Sequence, residues 1–250
     1  MATHVACYGV FKDSPYENFI LRRVVREFII VLLILLFLGV FFPAIFISVK
    51  YYIIFGLILI ISRTVTEMYK LFIRVESQEK YKIPSQVHVL KKIPHGKLVR
   101  ILSGLVMLLF IISFSYLSFQ INRLILPLLV KGFFIGFTGG LLTAIGGAYK
   151  DGFYEGFYIK KFFRSPLVTA ACAAFLIHKT DNVFLILLSS MGFERMIVEF
   201  YKGFVMSGYV PGKFKEVKPE YSDWLSKRKI IILPYVSTWI LFMSLVILDI

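Results

Sequence analysis

Residues 9–28, GVFKDSPYENFILRRVVREF, return in closely similar form as residues 147–166, GAYKDGFYEGFYIKKFFRSP, 138 positions further along the chain. We call these two stretches the first and the second phrase. The identical pairs are Gly9 and Gly147, Lys12 and Lys150, Asp13 and Asp151, Tyr16 and Tyr154, Glu17 and Glu155, Phe19 and Phe157, and Arg26 and Arg164. The match lies outside the long apolar runs, where shared composition alone produces similarity. Duplication of an ancestral unit is therefore the better explanation.

A second pair of similar stretches follows the two phrases. RTVTEMYKLF at 63–72 matches RMIVEFYKGF at 195–204, and we call these stretches the first and the second echo. Because phrase and echo recur in the same order, the sequence predicts two internal repeats within a single transmembrane domain. The predicted boundaries are 1–250 for the domain, about 9–119 for the first repeat, about 147–248 for the second, and 124–149 for a glycine-rich helix between them.

The composition of the chain is that of a membrane protein. Hydrophobic residues make up 58% of its 250 residues and the mean hydropathy is +0.78, which exceeds what a water-soluble domain of this size can bury. Six apolar segments reach the roughly 20 residues that a spanning helix needs: 28–49, 51–73, 98–119, 124–149, 183–206 and 230–248. A seventh, 166–178, crosses only if it includes the turn before Pro166. The sequence therefore predicts an all-α integral membrane protein of about seven transmembrane helices.

The distribution of charge predicts the topology. With seven crossings, 25 of the 29 Lys and Arg residues lie on one side, since only Lys50, Arg123, Lys131 and Lys179 fall elsewhere. Cytoplasmic segments are enriched in these residues, so the multi-pass chain is predicted to have a cytoplasmic N-terminus and a C-terminus on the opposite side. Four crossings separate the phrases and place both on the cytoplasmic side. The repeats are therefore predicted to be parallel, related by an axis along the membrane normal.

The acidic residues of the phrases suggest either a metal site or charge pairing. Asp13 and Glu17 are four residues apart, as are Asp151 and Glu155, and this spacing puts two carboxylates on one helix face. Near a pseudo-twofold axis, four such groups suit Mg²⁺ or Ca²⁺, and the adjacent bases suit a phosphate or an anionic phospholipid headgroup. The alternative is that the acids neutralise Lys and Arg side chains at the interface.

Each echo has a charged pair of its own. Arg63 with Glu67, and Arg195 with Glu199, have the i,i+4 spacing that allows pairing along one helix. Such pairing lowers the cost of partial burial at the end of an apolar helix. Phrases and echoes together predict a cytoplasmic charged cluster that consists of Lys12, Asp13, Glu17, Arg63, Glu67, Lys150, Asp151, Glu155, Arg195 and Glu199.

Glycines distinguish the segment 124–149 from the other apolar segments. They are Gly132, Gly136, Gly139, Gly140, Gly146 and Gly147. Three of them recur at every fourth residue, so another backbone can approach closely, and both tight helix packing and a pore lining remain open interpretations. The adjacent glycine pairs would also permit a bend. Lys131 is predicted to lie about a third of the way into the helix, where an ionisable group normally faces a partner or a water-filled cavity.

Residues 143–153, TAIGGAYKDGF, join a pair of glycines to a lysine and an aspartate, and the stretches 164–176 and 181–195 follow them. The first stretch resembles the glycine-rich signature of bacterial members of the trimeric intracellular cation channel family, and the other two resemble the segments that follow that signature. The resemblance implies a seven-helix subunit of a trimer with its own monovalent-cation pore. It would place Gly139, Gly140, Gly146, Gly147, Lys150 and Asp151 at a bend and a cytoplasmic mouth. The chain departs from the family in having two glycines for three, lysine for arginine, and parallel instead of inverted repeats.

Three functional hypotheses follow. A channel or small transporter, for a cation, accounts for the glycines and Lys131, with its pore near residues 132–147. A membrane enzyme or binding protein for a phosphorylated lipid headgroup accounts for the charged cluster, although the absence of a catalytic triad or phosphotransfer motif favours a protein without catalytic activity. The third hypothesis is a non-catalytic subunit of a larger complex. Expected partners are anionic lipids and further copies or subunits; topology explains the +14 charge without nucleic acid.

Overall fold

The structure is a computed structural model that describes residues 1–79, 81–88, 91–94, 96–206 and 210–249. Over these ranges the chain forms helices and no β-strand, which confirms the all-α prediction. The α-helices in chain order are α1 (Ala2–Glu17), α2 (Leu21–Phe41), α3 (Ala44–Ser48), α4 (Tyr51–Met68), α5 (Lys97–Arg123), α6 (Leu128–Glu155), α7 (Ile159–Leu176), α8 (Val183–Phe200), α9 (Trp224–Lys227) and α10 (Ile232–Ile247). Parts of the two predicted cytoplasmic loops, namely residues 80, 89, 90, 95 and 207–209, lie outside the described residues.

Five helical segments are long and apolar enough to cross a membrane. They are α2, Tyr51–Ile73, α5, α6 and Trp224–Ile247. The other two predicted crossings correspond to α7 and α8, which have 18 residues each and carry several charged side chains. α7 begins seven residues before Pro166, so at about 1.5 Å per residue it reaches roughly 27 Å. α7 is therefore longer than the apolar segment 166–178 alone and comes close to the roughly 30 Å thickness of the hydrocarbon layer. That α7 and α8 cross the membrane stays a prediction.

A proline divides the first predicted span. The sequence predicts one helix over 28–49, but α2 begins at Leu21 and ends at Phe41, and the short helix α3 follows. Pro43 explains the break, because it has no N–H to donate and disfavours helical backbone at the preceding residue. Phe42 accordingly has φ −137° and ψ 51°.

The centre of the bundle is the crossing of α4 and α8. Tyr52, Ile53, Ile58 and Leu59 of α4 are completely buried. At the crossing, a Cβ built on Gly192 would lie 2.0 Å from the carbonyl oxygen of Gly56, so the two backbones touch. The hydroxyl of Ser189 donates to the carbonyl of Ile53 across the same contact at 2.8 Å. By contrast, α2 and α5 expose most of their large apolar side chains, as lipid-facing helices do.

The glycine stripe of α6 packs against α7. Built Cβ atoms would meet the carbonyl oxygen of Thr169 at 2.4 Å from Gly136 and the Cα of Pro166 at 2.3 Å from Gly140. A Cβ on Gly132 would meet the carbonyl oxygen of Ala173 at 2.9 Å in the same way. Of the two interpretations that the sequence leaves open, the structure therefore favours tight helix packing for this stripe.

The two predicted repeats have the same backbone features at matching positions. The first phrase ends its helix at Glu17 and continues through Asn18, with φ 63° and ψ 171°. The second ends its helix at Glu155 and continues through Gly156, with φ 82° and ψ 170°. Each echo then continues from an 18-residue α-helix into a π-helix of five residues, Tyr69–Ile73 and Tyr201–Val205.

Charged residues from distant parts of the chain meet at opposite ends of the bundle. At one end, Asp249 lies 3.8 Å from the ammonium of Lys50 and 3.3 Å from that of Lys179. These are three of the residues that the predicted topology assigns to the far side. At the other end, described residues of the two predicted cytoplasmic loops meet, where Lys82 pairs with Glu216 at 2.7 Å.

Candidate functional site

A cavity of about 140 Å³ lies where the first phrase, the first echo and the end of α6 meet. We call it the polar cavity. Its charged and hydroxyl-bearing lining residues are Tyr8, Lys12, Asp13, Ser14, Glu17, Arg23, Arg26, Glu27, Arg63, Glu67, Lys70, Arg74, Tyr81, Ser85, Lys150 and Lys213. A water needs roughly 10–15 Å³, so the polar cavity has room for several waters or for one small polar group.

Positive charge exceeds negative charge in the polar cavity. Among the described lining residues, eight are Lys or Arg and four are Asp or Glu. Two further acids pair with lining bases, Glu199 with Arg63 and Glu76 with Arg74, so the excess is two positive charges. An excess of this sign in a partly enclosed space attracts an anion.

The acids of the first phrase are held by bases. Lys213 donates to the Asp13 carboxylate at 3.0 Å, and Lys12 lies 3.7 Å from it. Burial acts to raise the pKa of Asp13, but these two cations outweigh it and lower the pKa to about 2. Glu17 accepts hydrogen bonds from Arg23 and Tyr81, and its pKa is also lowered because these bonds and Lys213 outweigh burial. Both carboxylates are therefore ionised and neutralised at neutral pH.

The acids of the second phrase lie in a separate ion pair. Lys161 donates to Asp151 and to Glu155, each at 2.8 Å. This pairing matches the first phrase, since Lys161 occupies the position equivalent to Arg23. Of the second phrase, only Lys150 lines the polar cavity.

Of the two interpretations of the phrase acids, the structure favours charge pairing over a metal site. The four phrase carboxylates do not meet, and in the described ranges no group of three or more His, Cys, Asp or Glu side chains is placed to hold a metal ion. Each carboxylate is instead bonded to a lysine or arginine. The pairing alternative explains why: bases outnumber acids at this end of the bundle, and each acid is stabilised by the nearest cation.

The echoes pair across the two halves, which corrects the predicted pairing within each helix. Arg63 donates to both oxygens of Glu199, at 2.6 and 2.5 Å, rather than to Glu67. His4 of α1, which is completely buried, lies 3.2 Å from the same carboxylate. The close contact between α4 and α8 at Gly192 brings the echoes together, so a partner on the facing helix is available to Glu199.

The two remaining echo residues have other partners as well. Glu67 pairs with Lys70 at 3.0 Å and with Lys150 of α6 at 3.9 Å. Arg195 lies 3.8 Å from Glu194, its neighbour in the chain. The structure thus joins nine of the ten predicted cluster residues in two groups, and Arg195 of α8 belongs to neither.

Several buried polar atoms of the polar cavity have no hydrogen-bond partner among the described residues. They are Asp13 Oδ1, Ser14 Oγ, Glu27 Oε2, Arg63 Nε and Arg74 Nε. A buried polar atom without a partner costs roughly 1–3 kcal/mol. Two of these atoms are arginine N–H donors, one is a hydroxyl, and two are carboxylate oxygens that accept. Together they suit an occupant that has both an anionic group and hydroxyl groups.

The residues predicted to line a pore or bend lie elsewhere. Lys131 is in the first turn of α6, because the helix begins after Pro127, and not a third of the way into it. From this position a lysine can extend its ammonium beyond the helix end. Gly139 faces Leu187 and Met191 of α8, whereas Gly146 and Gly147 have no atom within 4 Å of a built Cβ. α6 passes through both glycine pairs as one continuous α-helix.

The predicted cluster omits ten of the sixteen charged and hydroxyl-bearing residues that line the polar cavity, among them Lys213, Tyr81 and Arg74. Lys213 and Tyr81 come from loops, where nothing in the sequence indicates which side chain turns inward. Arg74 follows the first echo directly, and its position 11 residues after Arg63 is the only signal that places it near the cluster.

Comparisons of this chain with protein-family models, with curated proteins and with solved structures find no match.

Proposed function

We propose that this protein binds the phosphorylated headgroup of an anionic membrane lipid in the polar cavity. The observation that supports the proposal most strongly is the combination of two excess positive charges with five buried polar atoms that have no partner in the described chain. A phosphate group satisfies the charge. It also supplies acceptors for N–H groups that are otherwise left without one.

The unpartnered atoms indicate which headgroups fit. The Nε–H groups of Arg63 and Arg74 can donate to phosphate oxygens. Asp13 and Glu27 can accept hydrogen bonds from hydroxyl groups, and the hydroxyl of Ser14 can do either. A phosphate that carries a polyol, such as glycerol or a sugar alcohol, satisfies both sets of atoms, whereas a bare phosphate leaves the two carboxylates without donors.

Apolar residues beside the polar cavity favour a lipid over a water-soluble phosphate. Phe19 and Ile20 line it and are each 37% exposed, and Leu21 at the start of α2 is 62% exposed. α2 continues from there as an apolar helix with little buried surface. A headgroup in the polar cavity would therefore have its acyl chains along a surface that suits them.

The proposal includes the predicted topology of seven crossings and two parallel repeats. This topology is supported by the matching backbone features of the two halves. It is also supported by the contacts of Asp249 with Lys50 and Lys179 at the end of the bundle opposite the polar cavity. In this topology the polar cavity opens at the cytoplasmic interface. Anionic phospholipids are abundant there.

The lipid-binding function has more support than a cation channel. The glycine stripe contacts α7 without space for a lumen, and Lys131 is near a helix end. The excess of basic residues in the polar cavity would also repel a cation. The channel and the related trimeric family stay predictions of the sequence alone.

The first prediction is that Arg74→Gln weakens binding of an anionic phospholipid about tenfold or more. The variant keeps a polar side chain but removes the charge and the Nε–H, and a hydrogen bond to a charged group contributes about 1.5–3 kcal/mol. The measurement is native mass spectrometry of the purified protein, titrated with phosphatidylglycerol against phosphatidylcholine.

Lys82→Gln is the matched control. Lys82 is at the same end of the bundle, pairs with the exposed Glu216 and does not line the polar cavity. The Lys82→Gln variant loses the same charge as Arg74→Gln but should bind the lipid with the affinity of the unsubstituted protein. Equal affinity for the two lipids, or equal loss in both variants, would show that the protein has no specific headgroup site.

A further inference from the structure

A second cavity, of about 180 Å³, lies between α4, α5, α6 and α8. We call it the apolar cavity. Among the described residues no charged side chain lines it, and most of the lining side chains are aliphatic. They include Ile61, Ile111, Ser115, Leu142, Leu187 and Met191. The apolar cavity and the polar cavity have no described lining residue in common, because they lie on different faces of α4.

The apolar cavity lies at the middle of the helices that enclose it. At about 1.5 Å per residue, Ile111 is about 20 Å from either end of α5, and Leu142 is about 20 Å from either end of α6. Both helices are long and apolar enough to cross a membrane. We therefore expect the apolar cavity to lie within the hydrocarbon layer.

The internal repeat identifies the corresponding place in the other half. α4 and α8 are equivalent helices of 18 residues, with Arg63 aligned to Arg195. α5 follows the first echo and contacts α8, and α10 follows the second echo and contacts α4. The two phrases lie at the ends of α1 and α6. The counterpart of the apolar cavity is therefore the space between α8, α10, α1 and α4.

Phenyl rings fill this counterpart. In the alignment of α4 with α8, Ile61 corresponds to Phe193, and Leu187 corresponds to Phe55. Both phenylalanines are buried, and the ring of each lies 5.1 Å from the ring of Phe242 of α10. At the apolar cavity the two aligned side chains are smaller and branched, so space remains where the other half packs its own aromatic rings.

The lining of the apolar cavity suits a hydrocarbon better than water. Apolar cavities of about 150 Å³ stay dry and take up apolar molecules. The hydroxyl of Ser115 donates within its own helix to the carbonyl oxygen of Ile111 at 2.9 Å, so its proton is already bonded. Val65 lines the apolar cavity and is 48% exposed, and α5 exposes most of its large apolar side chains. Lipid chains would therefore lie directly beside the apolar cavity.

We propose that the apolar cavity binds one hydrocarbon chain of a bilayer lipid, in the place that Phe55, Phe193 and Phe242 fill in the other half. Binding depends on shape and on the burial of apolar surface, so it is independent of the headgroup. The inference goes beyond the proposed function, because it requires neither the polar cavity nor an anionic lipid.

The test uses a phosphatidylcholine that carries a photoreactive diazirine midway along one acyl chain. The full chain is reconstituted in phosphatidylcholine vesicles that contain this probe, irradiated, and analysed by peptide mass spectrometry. Met191 lines the apolar cavity and is 7% exposed, whereas Leu109 on the outer face of α5 is 62% exposed. Both should be labelled. Ile61→Phe, which introduces the ring found in the counterpart, should lower the yield at Met191 at least tenfold and leave Leu109 unchanged.

Ile112→Phe is the matched control, because it adds the same ring at a residue of α5 that is 55% exposed and does not line the apolar cavity. Ser115→Leu, which fills the apolar cavity from α5, repeats the test if Ile61→Phe does not fold. No label at Met191 in the unsubstituted protein, or an unchanged yield there in the filling variants, would overturn the site. Label at Met191 together with equal affinity for phosphatidylglycerol and phosphatidylcholine would overturn the proposed function and support this inference.

Discussion

Gly192→Ala is expected to destabilise the protein more than alanine at any other described glycine. The added methyl would lie 2.0 Å from the carbonyl oxygen of Gly56, a backbone atom that cannot turn away. α4 and α8 would have to separate at the centre of the bundle, where Phe193 and Ser189 also contact α4. We expect the free energy of unfolding to fall by at least the upper end of the roughly 1–3 kcal/mol that overpacking costs.

Unfolding followed by circular dichroism during titration of detergent micelles with dodecyl sulfate measures this loss. Gly146→Ala is the matched control, because it adds the same methyl to an apolar helix at a position with no atom within 4 Å. Alanine is a better helix former than glycine, so Gly146→Ala should be neutral or stabilising. Similar unfolding of the two variants would mean that α4 and α8 do not touch at Gly192.

Glu199→Ala is expected to have the second large effect. It removes the carboxylate that both Arg63 and His4 contact, and leaves the guanidinium partly buried without its partner. Breaking a buried pair on one side costs about 3–5 kcal/mol, since the remaining charge is uncompensated. Because Glu199 also joins the two halves, we expect lower yield of folded protein and a lower midpoint in the same titration.

Glu216→Ala provides the comparison for an exposed pair. Its side chain is 65% exposed and pairs with Lys82, and pairs that are exposed to solvent contribute little to stability. If Arg63→Met in the Glu199→Ala background restores stability, the penalty comes from the unpaired charge. A loss no greater for Glu199→Ala than for Glu216→Ala would contradict the buried link between the echoes.

Much of the fold follows from sequence features that are local. Apolar runs of sufficient length locate the candidate spanning helices. The shortness of the segment 166–178 indicates that a helix crossing there would include residues before Pro166, and α7 does begin before it. The crossing of α4 and α8 could not be predicted in this way. Gly56 and Gly192 are single glycines in apolar helices, and their contact depends on how two distant helices pack rather than on any repeated pattern.

In the candidate site, too, local sequence features predicted some residues but not the contacts that depend on the tertiary fold. Six of the ten cluster residues that the phrases and echoes predict line the polar cavity. Their partners were not predictable, because the i,i+4 rule treats each helix as isolated. In the folded chain, the buried Glu199 is reached from the facing helix by Arg63, and Asp13 is reached from a loop by Lys213. Such choices depend on tertiary distances that the spacing of residues along one helix does not contain.

The central claim is that the two halves have the same orientation in the membrane, and site-specific labelling tests it most directly. Arg22 and Lys160 are equivalent, exposed positions of the two phrases, and Ile125 is fully exposed in the loop before α6. Each is replaced by cysteine in a chain whose Cys7 and Cys172 are replaced by serine and alanine, and intact and inverted vesicles are treated with a membrane-impermeant maleimide. We predict that Arg22→Cys and Lys160→Cys react from the same side and Ile125→Cys from the other. Reaction of Arg22→Cys and Lys160→Cys from opposite sides would contradict the parallel repeat.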